Sequence, residues 1–123
     1  MENACLKTMA GFLNSAGGLL LVGLADDGEQ LGLEADDFRN EDKMLLHLTA
    51  LIRNHLGGEN AQFVKATVVS QGEKQVLAVE CLRSPQPVYF RRDSDEQFFV
   101  RAGPSSQALS PSEVLAYLAQ RAE

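Results

Sequence analysis

Phe12-Leu13-Asn14-Ser15-Ala16-Gly17-Gly18-Leu19-Leu20-Leu21-Val22-Gly23 is the stretch on which the fold turns, because it closes a helix and opens a strand. Upstream of it, Leu6, Met9, Ala10 and Leu13 fall at i, i+3, i+4 and i+7, the spacing of one buried helix stripe. Asn14, Ser15, Gly17 and Gly18 end that helix, since glycine tolerates the left-handed turn that a helix terminus needs. Leu19 to Leu24 is apolar on both faces and predicts a central strand buried on two sides. Asp26-Asp27-Gly28 is a turn signal, and Gln30-Leu31-Gly32-Leu33 is the short return strand of a hairpin.

Further along, a second helix is expected over Glu41 to Leu56, with Asn40 as its N-cap. Glu41 and Asp42 then sit at the positive end of its dipole. Leu45, Leu48, Thr49, Ile52 and Leu56 form its buried stripe, and Gly57-Gly58 stop it. Strands at about Gln62 to Ser70 and Gln75 to Leu82 read as an antiparallel hairpin around Gln71 to Lys74. Ser84-Pro85-Gln86-Pro87 is a rigid loop whose two prolines donate no ladder bonds. Val88 to Arg91 and Gln97 to Arg101 read as another strand pair. Ser110-Pro111-Ser112-Glu113 is a capping box with proline at the first helical position, and Val114, Leu115, Tyr117 and Leu118 give the last helix its apolar side. The fold class is α+β: a single domain over residues 1–123, with a mostly antiparallel mixed sheet packed by about three helices.

Composition agrees with a globular domain. The chain has 123 residues, 45% of them hydrophobic and 23% charged, which excludes disordered and fibrous classes. Its longest apolar run, Leu19 to Ala25, is far short of the roughly 20 residues of a membrane span. No basic-then-apolar leader pattern opens the chain, and Cys5 and Cys81 are isolated, so a cytoplasmic protein with reduced thiols and no membrane partner is expected. GxxxxGK[ST], GxGxxG, GxSxG and HExxH are absent, so the sequence predicts no nucleotide hydrolysis, cofactor, metal or catalytic residue. His47 and His55 read as surface or boundary histidines of the second helix.

Further blocks complete a pattern. The segment Phe12 to Gly23 and Asp26-Asp27-Gly28-Glu29-Gln30-Leu31-Gly32-Leu33 resemble the "AFaNt-x-GG-x-lliGv-x-d-x-G-x-v-x-G" core of the Schlafen AlbA_2 domain. Gln86-Pro87-Val88-Tyr89, Phe98 to Gly103 with Ser105-Ser106, and Ser110 to Glu113 follow in the family's order. The resemblance covers nearly the whole chain and marks Asn14, Gly17, Gly18, Gly23, Asp27, Gly28 and Gly103 as motif positions. It implies an AlbA_2-like fold and a DNA-binding module of bacterial and archaeal proteins, relatives of which carry AAA-4, RecG-related or transcription-regulator labels. The family's "ES-x-x-x-EfK" strand, expected ahead of the first helix, has no counterpart here. The chain is therefore expected to be a fragment of a longer protein, with partner domains beyond it, or to have lost the first strand. In animal Schlafen relatives RNA cleavage is ascribed to two glutamates of that motif and an aspartate near the turn. Only the aspartate has a counterpart, Asp26 or Asp27, and one turn carboxylate does not hold a catalytic cation.

The formal net charge is −6, which argues against a general nucleic-acid glue, but it is unevenly spread. Residues 26–42 carry eight acids against Arg39, whereas residues 43–123 carry nine bases and eight acids. Arg83, Arg91, Arg92 and Arg101, interleaved with Tyr89, Phe90, Phe98 and Phe99, are the candidates for nucleic-acid contact, since guanidinium forks match phosphates and rings stack on bases. Asp93, Asp95 and Glu96 lie close enough in sequence to neutralise them. The competing readings are a protein-interaction or homodimerisation module, suggested by the acidic block, and a degenerate metal-dependent nuclease domain.

Overall fold

The apolar stripe of Leu6, Met9, Ala10 and Leu13 is fully buried on α1 (Glu2–Asn14). In the computed structural model, which describes residues 2–23, 41–71 and 74–121, this helix lies at the centre of the domain. Its end is locked by the Gly17 N–H, which donates to the Phe12 carbonyl at 2.9 Å. Gly17 has φ +84°, and a Cβ there would lie 2.6 Å from the Cys81 carbonyl oxygen. A side chain at Gly18 would meet the Phe12 ring at 2.6 Å. The glycine pair thus ends the helix and lets the chain enter β1 (Gly18–Gly23) against a neighbouring strand.

That neighbour is β3 (Lys74–Cys81), the centre of a three-stranded antiparallel sheet in the order β1-β3-β2, with β2 at Val64–Gln71. The expected hairpin is present, with Val64 opposite Cys81 and Gln71 opposite Lys74. A 3-10 helix over Gly58–Phe63 takes up the residues before it, so β2 begins two positions later than the sequence suggested. The reading of β1 as buried on both faces is corrected, because Leu19 and Leu21 point away from the core at 57% exposure each. Among the described residues it pairs with β3, and the return strand expected beside it lies outside them. Helices cover one face of this sheet, so alternation buries Val22, Leu77, Val79 and Cys81 and leaves the opposite set outside.

The second helix, α2 (Glu41–His55), buries Met44, Leu48, Leu51, Ile52 and Leu56, just past its end. Its stripe is rotated from the expected one: Leu45 is half-buried, and Thr49 is exposed with its hydroxyl donating to the Leu45 carbonyl at 2.9 Å. Met44 fills the place next to Leu48, while Thr49 satisfies its polar group on its own helix. Asn40 and residues 24–40, with the predicted turn and return strand, lie outside the described residues.

A second sheet follows instead of a continuation of the first. β4 (Tyr89–Arg92), β5 (Asp95–Ala102) and β6 (Ser105–Leu109) form an antiparallel meander. The single sheet of the sequence reading is therefore two among the described residues, still within the α+β class. Pro85 and Pro87 explain the break, since neither offers an N–H to a ladder. Ser84 and Val88 bond instead to the end of α1, through the Leu13 carbonyl at 2.8 Å and the Asn14 amide oxygen at 2.8 Å. Phe90 and Phe99 join the main core beneath α1 and α2, while Phe98 and Val100 face α3 (Pro111–Arg121) in a smaller cluster with Val114. The capping box forms as read: the Ser110 N–H donates to the Glu113 carboxylate at 3.0 Å, and the Glu113 N–H donates to the Ser110 hydroxyl at 3.4 Å. No helix among the described residues is long and apolar enough to cross a membrane.

Gly17→Val should lower stability by about 1 kcal/mol or more in urea unfolding, because it adds backbone strain to a clash with fixed main chain. An unchanged midpoint would refute the close approach. Glu113 offers a pH test. Its bonds to the Ser110 N–H and hydroxyl hold its carboxyl below the ordinary value of 4.5. The ionised cap therefore stabilises fully above that value and is lost as pH falls through the lower folded one. The melting-temperature gap between wild type and Glu113→Ala should accordingly shrink from about pH 6 to about pH 3.

Candidate nucleic-acid interface

The structure divides the predicted arginines into two groups. Arg83 leaves the end of β3 and is exposed, and Arg101 comes from the far end of β5. Both line a recess of about 360 Å³ together with Ser15, Tyr117 and Arg121. Arg101 also has structural work: its guanidinium lies 5.0 Å from the centre of the Phe12 ring and donates to the Ser106 hydroxyl at 3.0 Å. Its own N–H donates to the Ser15 hydroxyl at 2.9 Å.

Arg91 and Arg92 stand at the other end of the sheet. Arg91 is opposite Glu96, five residues before Arg101 on β5, a separation of roughly 17 Å along the strand. Its Nε lies 3.5 Å from the Glu96 carboxylate, an ion pair that solvent screens because both side chains are more than half exposed. Arg92 is exposed and opposite Asp95 at the hairpin end, where Asp93 takes a positive φ of 55°. Tyr89 is packed edge-on against Phe98 at 5.3 Å between ring centres and lines an apolar recess beneath α3. Phe90 is buried against Phe99 and the His55 ring. His55 in turn donates from Nδ1 to the Arg91 carbonyl at 2.7 Å, as a carbonyl only accepts. Of the aromatics interleaved with the arginines, Phe90, Phe98 and Phe99 are core residues.

The motif positions are architectural where they are described. Asn14 is buried, and its Nδ2 donates to the carbonyls of Val88 at 2.7 Å and Phe99 at 2.9 Å while its Oδ1 accepts from the Val88 N–H. Its main-chain carbonyl accepts from the Tyr117 hydroxyl. Gly17 and Gly18 make the turn, Gly23 ends β1, and Gly103 with φ +60° shapes the turn between β5 and β6. Asp26, Asp27 and Gly28 lie outside the described residues.

Nothing among the described residues gathers three His, Cys, Asp or Glu side chains into a metal site. Burial pushes the Cys81 thiol up to about 12, with Glu80 adding to the effect, so this sulfur is a core group and no nucleophile at neutral pH. What the described residues do offer is positive charge around Arg83, Arg101 and Arg121 with no carboxylate partner among them. Arg121 escaped the sequence reading. Its signal was its spacing, since it lies three and four residues beyond Leu118 and Tyr117, on the side by which α3 packs.

The fold and the order of these motif residues agree with one sequence family. The pattern described as Schlafen, AlbA_2 matches residues 1–110. The chain belongs to the Schlafen AlbA_2 family. No curated protein and no solved structure matches it. The match ends at residue 110, just before α3, the helix that carries Tyr117 and Arg121.

Asn14→Ala removes partners from one buried N–H and two carbonyls and should cost about 3 kcal/mol or more in urea unfolding. Asn14→Asp should be comparably costly despite its shape, because it turns an acceptor toward two carbonyls. Near-native stability of either variant would show that the Asn14 amide does not hold this junction.

Proposed function

We propose that this domain is a non-catalytic nucleic-acid-binding module, with DNA as its first expected partner, that serves a larger prokaryotic protein of regulatory or RecG-related type. The observation that carries the reading is the recess where Arg83 and Arg101 meet Arg121 with no Asp or Glu among its lining residues. Guanidinium groups that lack carboxylate partners favour phosphate, which they grip in a planar, two-pronged geometry. The motif resemblance to the Schlafen AlbA_2 domain, which implies a DNA-binding module, favours the same partner class. Arg91 and Arg92 supply a second, more exposed pair of contacts at the hairpin end. Binding by the two groups together needs a ligand long enough to span the sheet, as a duplex or extended strand is.

A second reading, a protein-interaction or homodimerisation module, is favoured by the exposed Leu19, Leu21 and Val69 on the outer face of the first sheet. Phosphate contacts release counterions and apolar contacts do not, so salt separates the two readings. Titrating the protein into labelled duplex DNA should give weak binding whose affinity falls with salt, with a log–log slope of about −4 to −5 if Arg83, Arg91, Arg92, Arg101 and Arg121 each contact one phosphate. The Arg91→Ala, Arg92→Ala double variant should flatten that slope by about 2. No binding at low salt, or binding that salt does not weaken, gives preference to the interaction module, and sedimentation equilibrium then tests the homodimer; equal binding by the double variant confines the contacts to the recess.

A further inference from the structure

Arg121 ends α3 in an unusual state for an arginine. Its side chain is half-buried, and both terminal nitrogens, Nη1 and Nη2, are out of solvent with no hydrogen-bond acceptor among the described residues. Donors withdrawn from water without a partner are expensive, and native proteins satisfy nearly all of them. Two recesses have Arg121 in their lining. One, of about 500 Å³, is lined by Arg83, Ser84, Pro85, Pro87, Leu118 and Arg121. The other, of about 360 Å³, adds Ser15, Arg101 and Tyr117 around the same two arginines. Arg83 and Arg121 thus form the shared wall.

The charge in this wall is uncompensated. Neither recess has an Asp or Glu in its lining, and none of the three arginines has a carboxylate partner among the described residues. Burial, and after it the like charge of Arg83, push Arg121 below the ordinary guanidinium range. Water entering the recess would satisfy the N–H donors but leave two cations facing each other. A compact oxyanion satisfies both demands at once, because its oxygens accept from the forks while its charge offsets the repulsion. The floor suits it too: Ser84, Pro85 and Pro87 belong to the rigid segment fixed to the end of α1, so Arg83 is presented from a backbone that does not need ordering on binding.

We propose that Arg121 and Arg83 form a phosphate-binding site, with Arg101 at its rim. The nature of the site rests on these residues alone; that a nucleic-acid strand supplies the phosphate rests on the function proposed above. Arg83 and Arg101 lie within the matched residues 1–110 and Arg121 lies outside them.

The test uses inorganic phosphate as the probe, against chloride at matched ionic strength, with calorimetric titration and thermal melting as readouts. Saturable binding and a raised melting temperature are expected. Arg121→Gln and, independently, the exposed Arg83→Gln should each weaken phosphate about tenfold or more, while Lys65→Gln on the first sheet leaves it unchanged. No saturable phosphate binding overturns the site, as does equal binding by Arg83→Gln, whose surface position keeps folding out of question. A 5′-phosphorylated oligonucleotide that binds more tightly than its unphosphorylated twin, with the advantage lost in Arg121→Gln, makes a strand end the source. Equal binding of the two, weakened by Arg121→Gln, makes it an internal phosphodiester. Phosphate binding by a chain that binds no DNA keeps the site and removes nucleic acid as its source. DNA binding that Arg121→Gln leaves intact, without phosphate binding, keeps the nucleic-acid reading and overturns the site.

Discussion

The side-chain amide of Asn14 holds the domain together. It sits at the last residue of the central helix, fully buried, and both its polar atoms bond to main chain, at Val88 just before β4 and at Phe99 in β5. Backbone groups in a core must find partners, and the Val88 and Phe99 groups that face α1 have no strand beside them to supply any. An amide, which donates and accepts at once, fits this junction where a hydroxyl or carboxylate does not. Tyr117 then attaches α3 to the main-chain carbonyl of the same residue. One position thus links the first helix, the entry to β4, the middle of β5 and the last helix.

Around that junction the two sheets have different characters. The first has one face packed under helices and, among the described residues, one face open, with leucine and valine exposed. The second is covered on both faces, by α1 and α2 on one side and by α3 on the other. Positive charge collects where the coverings of the second sheet end, at Arg83, Arg101 and Arg121, since cations at the edge of packed layers keep their heads near water while their stems are buried. The acidic surplus belongs to a separate stretch of sequence, residues 26–42. Net charge alone is therefore a poor guide to this domain's partners.

Much of the fold was legible because local chemistry agreed with tertiary structure. The α1 stripe, the glycine turn, the hairpin of β2 and β3 and the capping box of α3 all carried strong local signals, and each formed. The exceptions have specific causes. β6 is Ser105-Ser106-Gln107-Ala108-Leu109, an edge strand with little β-propensity whose pairing is imposed by β5. The outward Leu19 and Leu21 gave β1 the pattern of a strand buried on both faces, which periodicity cannot tell from an exposed apolar face. Of the candidate site, Arg83 and Arg101 do meet, yet sequence proximity grouped them with Arg91 and Arg92, which the length of a strand sets apart. Asn14 read as a helix terminator; its place four residues after Ala10, on the buried face, was the overlooked sign of its deeper role.

The reach of the Asn14 contacts has a kinetic consequence. Its partners lie 74, 85 and 103 residues away in the chain. The amide of the first helix cannot be withdrawn from water until Val88 and Phe99 exist and have come together, so during synthesis the helix, β1 and the first hairpin precede the groups that complete them. Contacts of such span are closed late, after loop entropy has been overcome, and proteins rich in them fold slowly for their size.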